Sequence, residues 1–435
     1  MLLRNLTACF LAAMLAILPA AARADAGPPL AALQTPDDAI AQDAAEYARQ
    51  FDVPLAEAIL RLHAQEASVP VTDRIAALYE DRLAGISIEH KPAYRIQVYL
   101  TGDDPVPTQY VDAGPLHVPV VFKTGAKATR DRIIWAMAYH QTEIRAALPL
   151  APSIGLDPRT GEMVITVPRR IADSDGDTLK AKFEALTGVP VQLRVLDRKE
   201  VNLAPEGGSR VVGPDPSNGK NYYCTTGFTV TDGARQGVTT AAHCPDTLTY
   251  RDPQSGNAPL TYLGQWGWGY QDVQINLSSD ALPPTFYVDK DRKTARAVTA
   301  QRGRISTRSG DFVCHRGERT GYSCAVVELT DFAPAGDLCG GACLPNWVTV
   351  AGPTCKGGDS GAPVFSGGVA FGILKGGSYR PDGSCAFYFY MSVDYLPPGW
   401  TLLREAPPIV AAKPVRGKRT TRSRASSRPG KARAT

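Results

Sequence analysis

The chain has 435 residues, 44% of them apolar and 21% charged, with 40 Gly and 35 Pro. That balance describes a turn-rich globular protein of about two or three domains and excludes a disordered chain, a collagen and a polytopic membrane protein. The formal charge of +4 is unevenly spread: residues 404–435 hold ten Lys and Arg against Glu405 alone, a charge of +9, which leaves −5 on residues 1–403. A basic partner surface is therefore a property of the tail and not of the body.

Residues 1–24 read as a signal peptide. Arg4 supplies the positive start, residues 6–18 are almost wholly apolar, and Ala22-Arg23-Ala24 offers small residues for cleavage before Asp25. Removing this segment takes Cys9 with it and leaves eight cysteines, all between 224 and 385. An even number in an exported chain predicts disulfides. The alternative is a zinc site, because Cys339-x3-Cys343 has a ligand-like spacing. Residues 25–223 contain no cysteine, so two differently built regions are expected.

Periodicity predicts two helices over residues 37–68, with Ala39, Ala44, Tyr47, Ala48 and Phe51 on one face and Pro54 opening the second. A helix-turn-helix DNA reader is a possible reading of that pair, but the segment is not basic, and packing explains it better. Residues 75–83, 130–148 and 179–186 read as helices, and residues 94–100, 163–167 and 189–195 as strands, with a turn at Pro158-Arg159-Thr160-Gly161. This is an α+β region, assigned to residues 25–205. From 222 onward the strands become short and the glycines frequent, as at 227–230, 273–275, 325–329, 369–374 and 387–393. That texture predicts an all-β domain over residues 206–403. Residues 404–435 are expected to be a disordered basic tail.

Three segments of the β region carry chemistry. They are Thr239-Thr240-Ala241-Ala242-His243-Cys244, Gln271-Asp272-Val273-Gln274-Ile275 and Gly357-Gly358-Asp359-Ser360-Gly361-Ala362-Pro363. A serine hydroxyl is a poor nucleophile at neutral pH. It needs a base within hydrogen-bond reach, and that base needs a carboxylate to fix its tautomer. His243 and His315 are the histidines of this region. His243 follows a small-residue strand end and precedes a cysteine, whereas His315 is expected on an exposed hairpin, so His243 is the candidate base. Asp272 sits at the start of an alternating segment, with Asp246, Asp252 and Asp280 as competitors. The glycines around Ser360 permit a sharp turn that aims the Gly358 and Ser360 N–H groups at one point, forming an oxyanion hole.

With these motifs the β region resembles the chymotrypsin-like serine peptidases, in the chain order His, Asp, Ser. It is most similar to their bacterial secreted branch, the streptogrisin and α-lytic protease group. Cys224-Thr225-Thr226-Gly227-Phe228-Thr229-Val230 looks like the opening strand of that group. The segment from Val313-Cys314-His315 to Tyr322-Ser323-Cys324 looks like its disulfide-closed hairpin. The 29-residue step from His243 to Asp272 fits the same compact branch, and residues 37–200 resemble its pro-region less specifically.

The resemblance implies a chymotrypsin-like double β-barrel with the site between barrels. Ser360 would be the nucleophile, His243 the general acid/base and Asp272 its orienter, with Asp359 structural and Gly376-Gly377 pairing with the substrate backbone. It also implies disulfides Cys224–Cys244, Cys314–Cys324 and Cys355–Cys385, leaving Cys339 and Cys343 as a tight local pair. Three positions depart from the pattern: Ala362 replaces a usual glycine, the Cys355-to-Ser360 spacing is short, and Lys375 stands where relatives carry a serine that supports the triad aspartate.

The implied function is a secreted serine endopeptidase, extracellular or periplasmic. It would be a monomer made as a precursor whose pro-region assists folding and inhibits until it is cut off, between about residues 201 and 214. No Asp or Glu lies between Pro353 and Gly358 and no His in 362–400, so an apolar or aromatic residue before the cut is expected. The partners would be a protein or peptide substrate and the chain's own pro-region, with the tail a candidate binder of an anionic polymer or the cell envelope. The sequence carries no metal or cofactor motif. The alternative function is a catalytically inactive, protease-like binding protein.

Overall fold

A computed structural model describes residues 32–196, 201–202, 211–214, 219–252 and 256–405. The expected signal peptide, nearly all of the expected tail and the middle of the expected cleavage segment lie outside the described residues.

The N-terminal region contains two small α+β units. In the first, helices Pro36–Phe51, Leu55–Ala67 and Val69–Leu78 accompany a four-stranded sheet in the order Leu83–Glu89, Arg95–Thr101, Leu116–Ala126, Gln109–Ala113. The first helix starts on a capping box, where the Thr35 hydroxyl accepts from the Asp38 N–H and the Asp38 carboxylate turns back to Thr35. It stops at Asp52, which adopts a left-handed conformation (φ 56°) just before Pro54. The expected helix at 75–83 ends earlier, at Leu78, and Leu83 already opens a strand. The expected helix at 130–148 is divided at His140 into Arg130–Tyr139 and Gln141–Ala146.

The second unit is completed from elsewhere in the chain. Its sheet runs Asp331–Ala333, Ile154–Asp157, Glu162–Pro168, Val191–Leu196. The edge strand Asp331–Ala333 belongs to the C-terminal region and pairs antiparallel with Ile154–Asp157. A second shared sheet joins Ala32–Leu33 to Thr294–Ala297. The two regions thus exchange backbone hydrogen bonds as well as side-chain contacts.

The C-terminal region is all-β. Strands Phe312–Gly317, Gly321–Val327, Val348–Ala351, Cys385–Ser392, Val369–Tyr379 and Pro363–Ser366 pair successively, and the last returns to the first. This is a closed six-stranded barrel filled by Val313, Val327, Val350, Val364, Phe371, Leu374 and Tyr388. The preceding half holds a five-stranded sheet, in the order Thr261–Trp266, Val273–Ser278, Gln236–Thr240, Thr229–Thr231, Thr401–Leu402, and a four-stranded sheet that includes Asn221–Cys224. Among the described residues ring closure by hydrogen bonds is found in the second half alone.

All eight cysteines of this region are paired, as Cys224–Cys244, Cys314–Cys324, Cys339–Cys343 and Cys355–Cys385. The zinc alternative for Cys339 and Cys343 is thereby replaced by a disulfide.

Candidate active site

His243 and Asp272 are brought together by strand register. Gln236–Thr240 and Val273–Ser278 are antiparallel neighbours, with Thr240 opposite Gln274. His243 lies just beyond the end of the first strand and Asp272 just before the start of the second, so both emerge at the same end of the sheet. Ala241 and Ala242 are buried, and the Cys224–Cys244 bond anchors the turn on the far side of the histidine. The small side chains let the turn pack closely, which places the ring rather than merely permitting it.

Ser360 comes from the second half, in the turn that leads into Pro363–Ser366. Gly361 has φ +89°, and a Cβ there would stand 2.2 Å from the Thr225 carbonyl oxygen. Glycine is required on both counts. The Thr225 N–H donates to the Ser360 carbonyl (2.8 Å) and its hydroxyl to the Gly358 carbonyl (2.7 Å), which docks the turn onto the His243 side. Asp359 holds the turn from within. Its carboxylate accepts from the N–H groups of Lys356, Arg319 and Thr320 and from the Thr320 hydroxyl, at 2.8 to 3.1 Å. That is the structural part the resemblance implied for it. The Asp359 and Gly361 N–H groups are engaged with the Lys356 and Leu374 carbonyls.

The three side chains form one hydrogen-bonded row. His243 Nε2 is 2.9 Å from Ser360 Oγ, and Nδ1 is 2.9 Å from Asp272 Oδ2. The His243 N–H also donates to Asp272 Oδ1 (3.2 Å), so the carboxylate grips both ring and backbone. Burial alone pushes the Asp272 carboxyl up. The His243 ring, the Lys375 ammonium and the hydrogen bonds from His243 outweigh it and hold the group down at about 2. Asp272 is therefore ionised at neutral pH and able to fix the ring with Nδ1 protonated, leaving Nε2 to accept from the hydroxyl.

Of the competing carboxylates, Asp246 and Asp280 are exposed, unlike the buried Asp272, and the Asp252 side chain lies outside the described residues. His315 corrects the expectation of an exposed hairpin. It is fully buried, its ring 4.9 Å from that of Tyr388, because barrel closure covers the inward face of its strand. Burial disfavours its protonated form.

Gly376 and Gly377 pair with Phe389 and Tyr388 on one side and, on the other, antiparallel with Asn202 and Val201. Sequence reasoning did not find Thr225, which holds the Ser360 turn, or Met391, whose sulfur accepts from the Asp272 N–H at 3.2 Å. Thr225 lies in the segment Cys224–Val230 that resembles the family's opening strand, but nothing in that pattern signals its hydrogen bonds to the Ser360 turn.

No family model matches the chain. Streptogrisin-D of Streptomyces griseus is 27% identical over 240 residues, covering 54% of this chain and 56% of its own length. Streptogrisin-C of the same organism is 26% identical over 203 residues, with 45% and 42% covered. Serine protease 1 of Streptomyces fradiae is 26% identical over 296 residues, with 64% and 76% covered. The chain thus spans about half the length of the first two relatives. Among solved structures, Thermobifida fusca protease A is 22% identical, with 46% of this chain and 98% of that one covered and a TM-score of 0.36. The curated relatives are streptogrisins and a serine protease, and the chain is similar to them at 26 to 27% identity over 45 to 64% of its length.

Proposed function

We propose that this protein is a secreted serine endopeptidase, made as a precursor, that hydrolyses peptide bonds through an acyl-enzyme. The observation that carries the proposal is the row Ser360 Oγ, His243 Nε2, His243 Nδ1, Asp272 Oδ2, with both links at 2.9 Å. In this reading Ser360 Oγ attacks the scissile carbonyl carbon while His243 Nε2 takes the hydroxyl proton. The ring then gives that proton to the leaving amine. In the second half, water attacks the ester with His243 again the base, releasing the acid and restoring Ser360. Asp272 holds the ring and stabilises the imidazolium that forms. The N–H groups of Gly358 and Ser360 receive the oxyanion, each such donor being worth about 3 to 4 kcal/mol of transition-state stabilisation. Gly376 and Gly377 supply the backbone edge for the substrate, and the residue before the cut is apolar or aromatic.

Residues 25–205 act as the pro-region that assists folding and inhibits. Its support is topological. The backbone of Val201–Asn202 lies on Gly376-Gly377, the edge assigned to substrate, while the N-terminal region shares two sheets with the β region. A β domain rich in non-local pairings folds slowly unaided, so a template of this kind is physically reasonable. Four disulfides fit an oxidising, exported location. The basic tail is a candidate contact for anionic polymers of the envelope.

The test is covalent labelling. A fluorophosphonate probe added to the exported protein should attach to Ser360, and the same preparation should cleave a peptide series, fastest after aromatic or large apolar residues. Absence of both labelling and hydrolysis in a folded, disulfide-paired preparation would overturn the reading in favour of an inactive binding protein.

A further inference from the structure

The strand Val369–Tyr379 keeps regular register with Cys385–Ser392 up to Leu374 opposite Tyr390, then shifts so that Gly376 faces Phe389. Lys375 is the extra residue of that irregularity, and a bulge re-aims the side chain it carries. The Lys375 side chain turns inward and is 2% exposed. Its Nζ stands 3.4 Å from Asp272 Oδ1 and 5.4 Å from the centre of the buried Trp347 ring. An ammonium taken this far from water is costly unless an anion and a π face receive it. Both are here, and the anion is the carboxylate that also grips His243.

Asp272 thus serves two cationic partners. Oδ2 faces the ring nitrogen, while Oδ1 faces the backbone N–H of His243 and the Lys375 ammonium. The charged groups that act on the carboxylate are the His243 ring and Lys375. The other groups against it are neutral: the Met391 sulfur at its N–H, the Ser360 hydroxyl beyond the ring, and Gln271 beside it, tied to the Tyr395 carbonyl. When the ring gains a proton, two positive groups face one negative group across a buried space. With a neutral residue at 375 the protonated ring would have the carboxylate to itself.

We infer that Lys375 is a positioning residue that shares the Asp272 carboxylate with His243 and so keeps His243 a neutral base to lower pH than a neutral residue at 375 would allow. The inference rests on the proposed peptidase reading for its catalytic meaning, but its physical content does not need turnover. The Lys375 side chain faces Asp272 and Trp347, and it acts through Asp272.

Two measurements test it. In the active protein, Lys375→Met should move the acid limb of the kcat/KM profile upward by about one pH unit, whereas Lys375→Arg, which keeps the cation, should leave the limb within a few tenths of a unit. In the full-length Ser360→Ala chain, which needs no activity, the pH at which the His243 ring takes up its proton, followed by NMR, should rise by a similar amount on adding Lys375→Met. If Lys375→Met does not fold, Lys375→Ser against Lys375→Arg makes the same comparison. A limb and a ring titration both unmoved by removing the cation would overturn the inference and make Lys375 a filler of space. A protein that hydrolyses nothing yet shows the ring shift would sink the peptidase reading and leave this inference standing.

Discussion

The two regions of this chain are held together in opposite ways. The β region carries four disulfides and a barrel that closes on itself. The N-terminal region has no cysteine and borrows a strand to finish one of its sheets. Its grip on its neighbour is non-covalent, an apolar cluster in which Tyr47 and Phe51 pack on Phe312 together with buried polar contacts. Asp43, fully buried, accepts from Arg296 (2.8 Å), from the Gly367 N–H (2.6 Å) and from the Tyr322 hydroxyl. Gln65 receives the Phe312 N–H, Arg308 reaches the Gln65 carbonyl, and Asp331 is clasped between Arg130 and Arg304. A disulfide-locked half beside a half docked without covalent cross-links fits the proposed precursor, in which one part persists and the other is lost once its connection is cut.

The comparison can be broken or sharpened at several points. The largest effect falls on the chemistry of the β region. Asp272→Asn should lower kcat by about ten-thousandfold, because the amide favours the wrong ring tautomer. Peptide hydrolysis measures this; the docking contacts lie elsewhere, and the cost of leaving the buried Lys375 ammonium without its anion falls within the β region. Next comes the interface. Asp43→Ala strands Arg296 without its anion and should cost the docked state about 3 to 5 kcal/mol. Urea unfolding of the full-length Ser360→Ala chain should then show the N-terminal region melting ahead of the β region.

A similar or smaller loss, about 3 kcal/mol in the chain-entropy model for a loop of 20 residues, is expected when Cys224 and Cys244 are both replaced by Ala. It should lower the later, β-region transition and leave the earlier one in place.

The smallest effect at neutral pH is an acid sensitivity of the interface. His90 Nε2 donates to the Gly310 carbonyl across the interface (2.8 Å), and Nδ1 accepts from the Tyr47 hydroxyl (2.7 Å). Both bonds suit the neutral ring. Desolvation among Tyr47, Phe51 and Tyr94, with Arg61 nearby, outweighs the Gly310 carbonyl and Asp311 and pushes the ring down to about 4 from its ordinary 6.5. A depressed value means that the unfolded or released form binds the proton first. The docked state should keep its full stability above about pH 6.5 and lose it as pH falls toward 4. His90→Gln should flatten this dependence in the same urea experiment. An unchanged slope would assign the acid sensitivity to other groups.

Much of the site was legible because its signals are short. A histidine between small residues and a cysteine, and a serine between glycines, each state their own local geometry. The alternation of Val273 and Ile275 placed Asp272 at a strand start, but Asp246, Asp252 and Asp280 still competed with it and the resemblance made the choice. The interface was not legible. Asp43 and Arg296 are 253 residues apart, and neither sits in a pattern that announces a partner. Lys375 was visible as a departure, but its direction depends on a register shift that periodicity cannot report. His315 was misplaced because alternation along a hairpin does not say which face a closing barrel will cover. The helix break at His140 has the same origin: the apolar period runs on through it, and the backbone does not.

The central claim is that Ser360 cuts the chain between the N-terminal region and the β region to which it belongs. The most direct measurement is the intact mass of the exported protein, wild type beside Ser360→Ala. The account predicts that wild type loses the N-terminal region by a cut between about residues 201 and 214, while the variant keeps it. Wild type and variant leaving the cell with the same mass, both whole or both cut alike, would contradict self-processing by Ser360.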